Sequence, residues 1–107
     1  MTYEERALDA LGDPTRRAVL MRLRRGARSV SEIAEGMDVS RPAVSQHLKI
    51  LKTARLVTVH AEGTRRVYAV DTRGIASLRK WLDGFWDQAL SAFKAMAEQE
   101  ARRERKQ

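Results

Sequence analysis

The sequence predicts a mainly α-helical fold with one small β-hairpin, in the order α-α-α-α-β-β-α. Two observations predict this order. Helix-capping residues precede five segments with helical apolar spacing, whereas residues 56–70 contain two β-branched and aromatic runs around a glycine loop. At 107 residues the chain has the length of one small domain with a modest core, so residues 1–107 are expected to form a single domain.

Start signals mark the first two helices. Thr2 and Glu5 have the spacing of a capping box, in which each side chain bonds the other residue's backbone N–H, and they predict a helix over 2–11. The Asp-Pro pair at 13–14 predicts a second helix over 15–25, because aspartate caps the first turn and proline lacks an N–H that this turn leaves unused. A glycine follows each helix and ends it.

The next two helices lie close together in the sequence. A second capping box at 29–32 opens a short helix, and after a turn Ser40 caps a longer one. The longer helix has a narrow apolar stripe that consists of Val44, Leu48 and Leu51. Two short helices joined by a tight turn, the second polar on its outer face, predict a helix-turn-helix over 29–53.

The outer face of the helix that Ser40 caps carries side chains of the types that read DNA in other proteins. At about 100° per residue, Gln46 lies almost opposite the apolar stripe, with Lys49 beside it and Ser45 on the flank. A short amide, a hydroxyl and a cation can contact base edges and phosphates. The alternative is an ordinary amphipathic surface helix, which carries the same residue types for solubility.

A hairpin follows the candidate reading helix. Residues 56–61 and 66–70 are β-branched and aromatic runs, and a glycine-containing loop over 62–65 joins them. A hairpin at this place over 56–70 is called a wing. Its tip carries Arg65 and Arg66, which are placed to contact phosphates or the minor groove.

The last predicted helix, over 73–100, is longer than a domain of this size can cover. Asp71 and Thr72 precede it, and apolar residues recur on it every three or four positions, including both tryptophans and both phenylalanines of the chain. An exposed apolar stripe of this size promotes association with another protein surface. We therefore expect it to pack, together with the first helix, against a second copy of the chain. The alternative is that it folds back over its own domain as core.

The charge distribution indicates a polyanionic partner. The formal net charge is +7, and residues 14–66 contain twelve Lys and Arg but only four Asp and Glu. The positive excess therefore lies on the segment with the helix-turn-helix, where release of counterions from a nucleic acid can drive binding. An anionic membrane surface fits less well, because the charges are spread over several elements rather than along one amphipathic helix.

Several classes of protein are excluded on composition. The chain has no Cys, and therefore no disulfide, thiolate metal site or thiol redox switch. It begins without the basic and apolar regions of a signal peptide and has no run of about 20 apolar residues, so we expect a cytoplasmic protein. Ser45 and His47 do not suggest a hydrolase, since residues two apart on a helix point away from each other. No catalytic residue is assigned, and the expected class is not an enzyme.

The combined motifs resemble those of the ArsR-type winged-helix repressors of bacteria, in particular the metal-independent branch with a long C-terminal helix. The resemblance extends over about residues 3–97, and the segments that carry it are Ala10–Leu20, Val30–Ala34, Ser40–Leu51, Ala54–Val57 and Glu62–Tyr68. It implies a winged helix-turn-helix homodimer that binds double-stranded DNA at an inverted-repeat operator and represses transcription. The half-sites are then expected about 34 Å apart, or one helical turn.

The resemblance also implies site residues. The DNA-binding set is Ser40, Arg41, Ser45, Gln46, His47, Lys49, Lys52, Arg65 and Arg66, in which the cations other than His47 contact phosphates and Gln46 is the strongest candidate for reading a base. For His47, a packed or phosphate-facing side chain is an equal alternative. The dimer set is Leu8, Leu11, Leu78, Leu82, Phe85, Trp86 and Phe93.

One departure from the family bears on sensing. Many members sense metals through a cysteine pair before the reading helix, or through histidines and carboxylates on the last helix, and this chain has neither the cysteines nor a histidine there. We expect no metal and no cofactor. A small-molecule effector, if one exists, is unidentified; the apolar groove between two last helices near Trp81, Phe85 and Trp86 is one candidate site.

Two alternatives to an operator-reading regulator remain. One is a winged-helix module that binds another protein through its aromatic last helix. The other is a nonspecific nucleic-acid-binding protein. The first has no need for a strongly basic reading half, and the second predicts affinity without sequence preference.

Overall fold

A computed structural model describes residues 1–106 of the chain, which form five α-helices and three short β-strands. In chain order these are α1 (Tyr3–Ala10), α2 (Pro14–Met21), β1 (Arg28–Ser29), α3 (Val30–Ala34), α4 (Arg41–Thr53), β2 (Val57–Glu62), β3 (Arg65–Val70) and α5 (Thr72–Arg105). The predicted order of helices and hairpin is confirmed, with one strand, β1, added.

The predicted capping residues start the helices. Thr2 accepts the Glu5 N–H at 3.1 Å while the Glu5 carboxylate accepts the Thr2 N–H at 2.9 Å. The Ser29 and Glu32 pair repeats this arrangement at the start of α3. Each of these N–H groups lacks a partner within its helix, so the caps satisfy donors that would otherwise be left unpaired.

Helix α2 ends at Met21, four residues earlier than predicted. The chain continues in tight turns, in which the Leu23 N–H bonds the Leu20 carbonyl at 3.0 Å and the Gly26 N–H bonds the Leu23 carbonyl at 3.1 Å. This tighter winding places Leu23 in the core, where it is fully buried. Core packing, rather than helix propensity, therefore sets the end of α2.

The sheet has three antiparallel strands in the order β1-β3-β2. β2 and β3 form the wing, and the two-residue loop between them begins with Gly63 at a φ of 61°, a left-handed conformation that favours glycine. β1 pairs with β3, with Arg28 opposite Tyr68 and Ser29 opposite Val67. A two-residue strand has too few residues to show an alternating pattern, so the sequence did not predict it.

A close contact between backbones sets the direction in which α5 leaves the wing. Arg55 has a φ of 60°, and its guanidinium lies 3.4 Å from the centre of the Tyr3 ring. Gly74, in the first turn of α5, lies so close that a Cβ there would be 1.6 Å from the Arg55 carbonyl oxygen. The Asp71 side chain caps this turn by accepting the Gly74 N–H at 3.0 Å.

Helix α5 does not fold back over the domain. It is continuous to Arg105, five residues beyond the predicted end, and the molecule measures 74 × 27 × 26 Å along its principal axes. Leu78 is buried, but the large apolar side chains further along the helix are exposed, and Phe93 reaches 70%. The alternative in which α5 completes its own core is therefore wrong, because the core is covered by the first turns of the helix alone.

Candidate nucleic-acid interface

Helix α4 presents one side to the core and the other to solvent. Val44, Leu48 and Leu51 are completely buried, as the periodicity predicted. Ser40 caps the helix by accepting the Ala43 N–H at 3.3 Å. The buried stripe is long enough to hold α4 rigidly against α2 and α3, so its outer side chains are presented on a fixed scaffold.

The outer face of α4 carries most of the predicted base-reading and phosphate-binding residues. Ser40, Arg41, Ser45, Gln46, Lys49 and Lys52 are all exposed. Within residues 1–106 the side chains of Gln46, Lys49 and Arg41 form no hydrogen bond or ion pair with another side chain. The amide and the cations are therefore free to bind an external ligand.

Gln46 and Lys49 also lie at the edge of a groove between α1 and α4. The groove has a volume of about 380 Å³ and includes Ile50 from α4 and Ala10 from α1. Because Arg6 and Asp9 of α1 also line it, the side of α4 that carries Gln46 faces this groove. A molecule seated there would lie beside the candidate base-reading amide.

His47 occupies an intermediate position. The side chain is half-buried, and within the described chain its Nδ1 atom is buried without a hydrogen-bond partner. His47 is also the smallest of the named causes that lower the pKa of Asp13, the cap of α2, after the hydrogen bonds from the Arg16 and Thr15 backbones. This geometry favours the packed alternative over base reading for His47.

Asp13 connects the start of α2 to this region. Its carboxylate accepts the Thr15 N–H at 2.8 Å and the Arg16 N–H at 3.1 Å. The hydrogen bond from the Arg16 backbone is the largest cause of a lowered Asp13 pKa, because it stabilises the ionised form. The Arg16 side chain donates to the Ala10 carbonyl at 2.7 Å, so this arginine links α2 to α1.

The wing contains an ion pair that the sequence did not predict. The Arg65 guanidinium, at the start of β3, pairs with the carboxylate of Glu32 in α3. The same carboxylate accepts the Ser29 N–H, and these hydrogen bonds together with Arg65 lower the pKa of Glu32. The two residues are 33 positions apart, and no local pattern signals such a contact.

The second wing arginine remains open to solvent. Arg66 is exposed and lies opposite Ala61 in the hairpin, and it forms no ion pair within residues 1–106. On the other strand of the wing, His60 lies 3.6 Å from the Glu62 carboxylate. Of the two predicted wing contacts, Arg66 is thus free in the isolated protomer, whereas Arg65 already has an anionic partner.

The residues predicted to form a dimer divide into two groups. Leu8, Leu82, Phe85, Trp86 and Phe93 are exposed on α1 and α5. Leu78 does not belong with them, because it is only 7% exposed and lies in the core of its own protomer. Leu11 is half-buried and packs against the same core. The exposed group forms an apolar face along α5, in which the Trp81 and Phe85 rings stack with their centres 6.4 Å apart.

The described residues lack the features of two other classes of protein. No group of three or more His, Asp or Glu side chains in residues 1–106 is close enough to hold a metal ion. In the same range, none of the helices combines the length and apolarity needed to cross a membrane.

Comparison with a family model identifies the reading half of the chain. Residues 13–59, which include α2, the helix-turn-helix and the first residues of the wing, match the model described as bacterial regulatory protein, arsR family.

Individual relatives extend the match to most of the chain. The chain is 53% identical over 96 residues to the HTH-type transcriptional regulator Rv2034 of Mycobacterium tuberculosis, which covers 90% of each protein. It is 36% identical over 76 residues to the transcriptional repressor SdpR of Bacillus subtilis, covering 71% of this chain and 84% of that protein. A solved structure, the homodimeric winged helix-turn-helix DNA-binding domain from Mycobacterium bovis, superposes with a TM-score of 0.65 at 29% identity and covers 84% of this chain and 83% of its own.

Proposed function

Because the chain belongs to the arsR family of bacterial regulatory proteins, we propose that it is a dimeric repressor that binds an inverted-repeat DNA operator. It is a winged helix-turn-helix transcriptional regulator, and its relatives are regulators rather than enzymes. The observation that carries the proposal is α4, with one completely buried side and an opposite side of exposed amide, hydroxyl and cationic groups.

The contacts divide by chemistry. Gln46 reads a base, since an amide can pair with both N6 and N7 of adenine, and Ser45 assists from the flank. Arg41, Lys49 and Lys52 bind phosphates on either side of the groove. Ser40 contributes chiefly as the N-cap of α4 and approaches the groove from its start, while His47 contributes at most from its exposed edge.

The wing supplies additional phosphate contacts. Arg66 is free to bind directly, whereas Arg65 must exchange the Glu32 carboxylate for a phosphate, or share itself between the two. The carboxylate and the phosphate are both anions, so Arg65 keeps an anionic partner throughout. The exchange therefore costs less free energy than breaking a buried ion pair. Arg66 is therefore the stronger contact of the two.

The apolar face of α5 supports the dimer. Phe85, Trp86 and Phe93 are exposed by more than half of their surface, which a soluble protomer does not sustain without a partner. The similar Mycobacterium bovis domain is homodimeric. A two-fold symmetric pair places two copies of α4 in successive major grooves, about 34 Å apart, and so requires an inverted repeat.

Selection of bound duplexes from a random pool tests the proposal. We expect an enriched inverted repeat, and titration at two salt concentrations is expected to show binding at least ~10³-fold tighter than to scrambled DNA. Salt-sensitive binding without an enriched motif would identify a nonspecific nucleic-acid-binding protein. The absence of DNA binding would favour a protein-interaction module that uses the aromatic face of α5.

A further inference from the structure

A second group of basic residues includes none of the residues proposed to contact DNA. The turns between α2 and β1 surround a cleft of about 440 Å³. Six residues line it: Ala18, Met21, Arg22, Arg24, Arg25 and Arg28. Four of the six are arginines and none is acidic. We call this site the arginine cleft.

None of the four guanidinium groups pairs with a carboxylate in the part of the chain that the structure describes. Within residues 1–106 every ion pair shorter than 4.0 Å involves other residues, namely Arg65, Arg103 and His60. Like charges around one cleft repel each other, and nothing within the protomer offsets this cost. An exposed run of arginines along a helix could spread apart in solvent, but these converge on a single concave surface.

Two of the four arginines are held in place. The Arg22 side chain is half-buried and donates through Nη1 to the Glu35 carbonyl at 2.6 Å, in the turn before α4. Arg28 is half-buried, and its backbone is held in the sheet opposite Tyr68. Arg24 and Arg25 are exposed at the rim. The cleft therefore combines one anchored guanidinium, that of Arg22, with two exposed cations at the rim.

The chemistry of the cleft fits phosphate. A guanidinium group presents planar paired donors that match two oxygens of a phosphate, and it remains charged at any physiological pH. The volume is within the range of small-ligand sites. We propose that the arginine cleft binds a phosphate-rich anion, in which several phosphoryl groups engage Arg22, Arg24, Arg25 and Arg28 together.

Two sources can supply such phosphates, a free polyphosphate compound and the backbone of DNA. The strand register favours the free compound. β1 runs antiparallel to β3, and Ser29 lies opposite Val67, two residues beyond Arg65 near the wing tip. The residues before β1, including Arg24 and Arg25, therefore lie toward the end of the sheet that is remote from the wing tip.

Calorimetric titration of the full chain with inorganic tripolyphosphate, in the absence of DNA, tests the proposal directly. The test variant is R24Q/R25Q, in which both changed residues are exposed rim residues. The matched control is R102Q/R105Q, which removes two exposed arginines from the far end of α5. We expect the test variant to bind tripolyphosphate about tenfold more weakly or worse, and the control to bind it like the unchanged protein. Thermal unfolding followed by circular dichroism verifies that both variants are folded.

A second measurement separates the two sources. If the cleft holds DNA phosphates, R24Q/R25Q lowers the salt dependence of binding to a long duplex by about 1.8 in log–log slope, because each phosphate contact contributes about 0.9. An unchanged slope together with lost tripolyphosphate binding assigns a free anion. If both variants match the unchanged protein in both measurements, the cleft binds no phosphate and the proposal is wrong. The titration does not involve an operator, so its outcome is independent of the proposed repressor function.

Discussion

At the scale of single residues, we propose that the Gln46 amide provides the selectivity for DNA. The side chain is exposed on the face of α4 opposite the buried stripe, and it has no competing partner among residues 1–106. An amide distinguishes adenine from the other bases by a pair of hydrogen bonds, whereas a cation beside it binds any phosphate. Sequence choice and general affinity are therefore carried by different side chains.

Truncation of Gln46 separates these two contributions. We expect Gln46→Ala to cost about 1–3 kcal/mol on the selected operator and to relax the preference at one base position, with little change on scrambled DNA. Lys49→Ala is the matched control, and it is expected to weaken binding to both DNAs alike. Titrations of each variant against both duplexes measure its affinity for the operator and for scrambled DNA. Equal weakening of both DNAs by Gln46→Ala would contradict base reading.

The Glu32–Arg65 pair gives a second prediction. Glu32→Gln retains the capping box, since glutamine can take the same role, but it removes the charge that holds Arg65. We expect binding to any duplex to become a few-fold tighter, because a carboxylate no longer competes with phosphate for the exposed Arg65 guanidinium.

A comparison with the double variant Glu32→Gln/Arg65→Ala shows whether the gain in DNA affinity acts through Arg65. The gain is expected to disappear in the double variant, because no Arg65 is left to benefit. Weaker binding by the single variant would mean instead that Glu32 positions Arg65 for DNA. Fluorescence anisotropy of a labelled duplex measures the DNA affinity of both variants.

Asp13 makes stability depend on pH. The Arg16 N–H and the other hydrogen bonds to the carboxylate lower its pKa in the folded protein. A group with a lowered folded pKa contributes stability above its unfolded pKa and loses that contribution as the pH falls through the folded pKa. Asp13→Asn keeps a good N-cap but has no proton to gain.

The variant is therefore expected to be less stable than the unchanged protein near neutral pH, and this difference is expected to shrink below pH ~4, where the unchanged protein loses the contribution of its ionised carboxylate. Urea unfolding across this range, with both proteins in parallel, measures the difference. The same loss in both proteins would show that other carboxylates dominate the acid response, Glu32 foremost among them, since its pKa is also lowered.

At the scale of elements, the junction of α4, β2 and α5 determines the shape of the protomer. The Leu56 N–H bonds the Leu51 carbonyl at 2.9 Å, and the Asp71 N–H bonds the Leu56 carbonyl at 2.9 Å. Gly74 then allows α5 to pass against the Arg55 backbone. These contacts connect the end of α4 to the start of α5.

Gly74→Ala is expected to destabilise the fold by about 1–3 kcal/mol or more, because its Cβ would be 1.6 Å from the Arg55 carbonyl oxygen and the backbone must move. Gly84→Ala is the matched control on the same helix, where a Cβ meets nothing within 4 Å. Alanine favours a helix over glycine by about 0.5–1 kcal/mol, so this control is expected to be no less stable. Denaturant unfolding compares them, and equal stability of the two variants would contradict the tight junction.

At the scale of the whole molecule, α5 accounts for the elongated shape. It extends far past the core, and the exposed fraction is 62% for Trp86 and 70% for Phe93. A second protomer that covers this face would convert the elongated protomer into a symmetric pair with two reading helices. The distance between the two copies of α4, and hence the half-site spacing, then depends on how the copies of α5 cross.

Charges introduced into the apolar face test this assembly. We expect Phe85→Glu/Phe93→Glu to sediment as a folded monomer and to bind the operator about a hundredfold more weakly or worse, because the two half-sites are no longer bound together. Circular dichroism is expected to stay unchanged, since both side chains are exposed in the protomer. Ser91→Glu places a new carboxylate about 120° around α5 from Phe85 and about 160° from Phe93, and it serves as the control. Dimeric sedimentation of the double variant would place the interface elsewhere.

The local order of the molecule follows from the sequence. The Thr2, Asp13, Ser29, Ser40 and Asp71 caps all lie where the sequence predicts them, and the buried stripe of α4 has the predicted members. Caps and periodicity involve residues within a few positions of each other, so the chain encodes them without reference to the rest of the fold. For the same reason, the exposed polar face of α4 could be identified before the structure.

The tertiary structure alone decided which distant residues meet. The β1 strand, the Glu32–Arg65 pair and the arginine cleft each join segments whose proximity no local pattern encodes. The sequence also did not show which part of the apolar stripe of α5 is buried within the protomer. Leu78 and Phe93 belong to the same periodic pattern, but Leu78 is buried and Phe93 is exposed. Periodicity shows which side of a helix is apolar, whereas the length of the neighbouring core decides how much of that side is covered within the protomer.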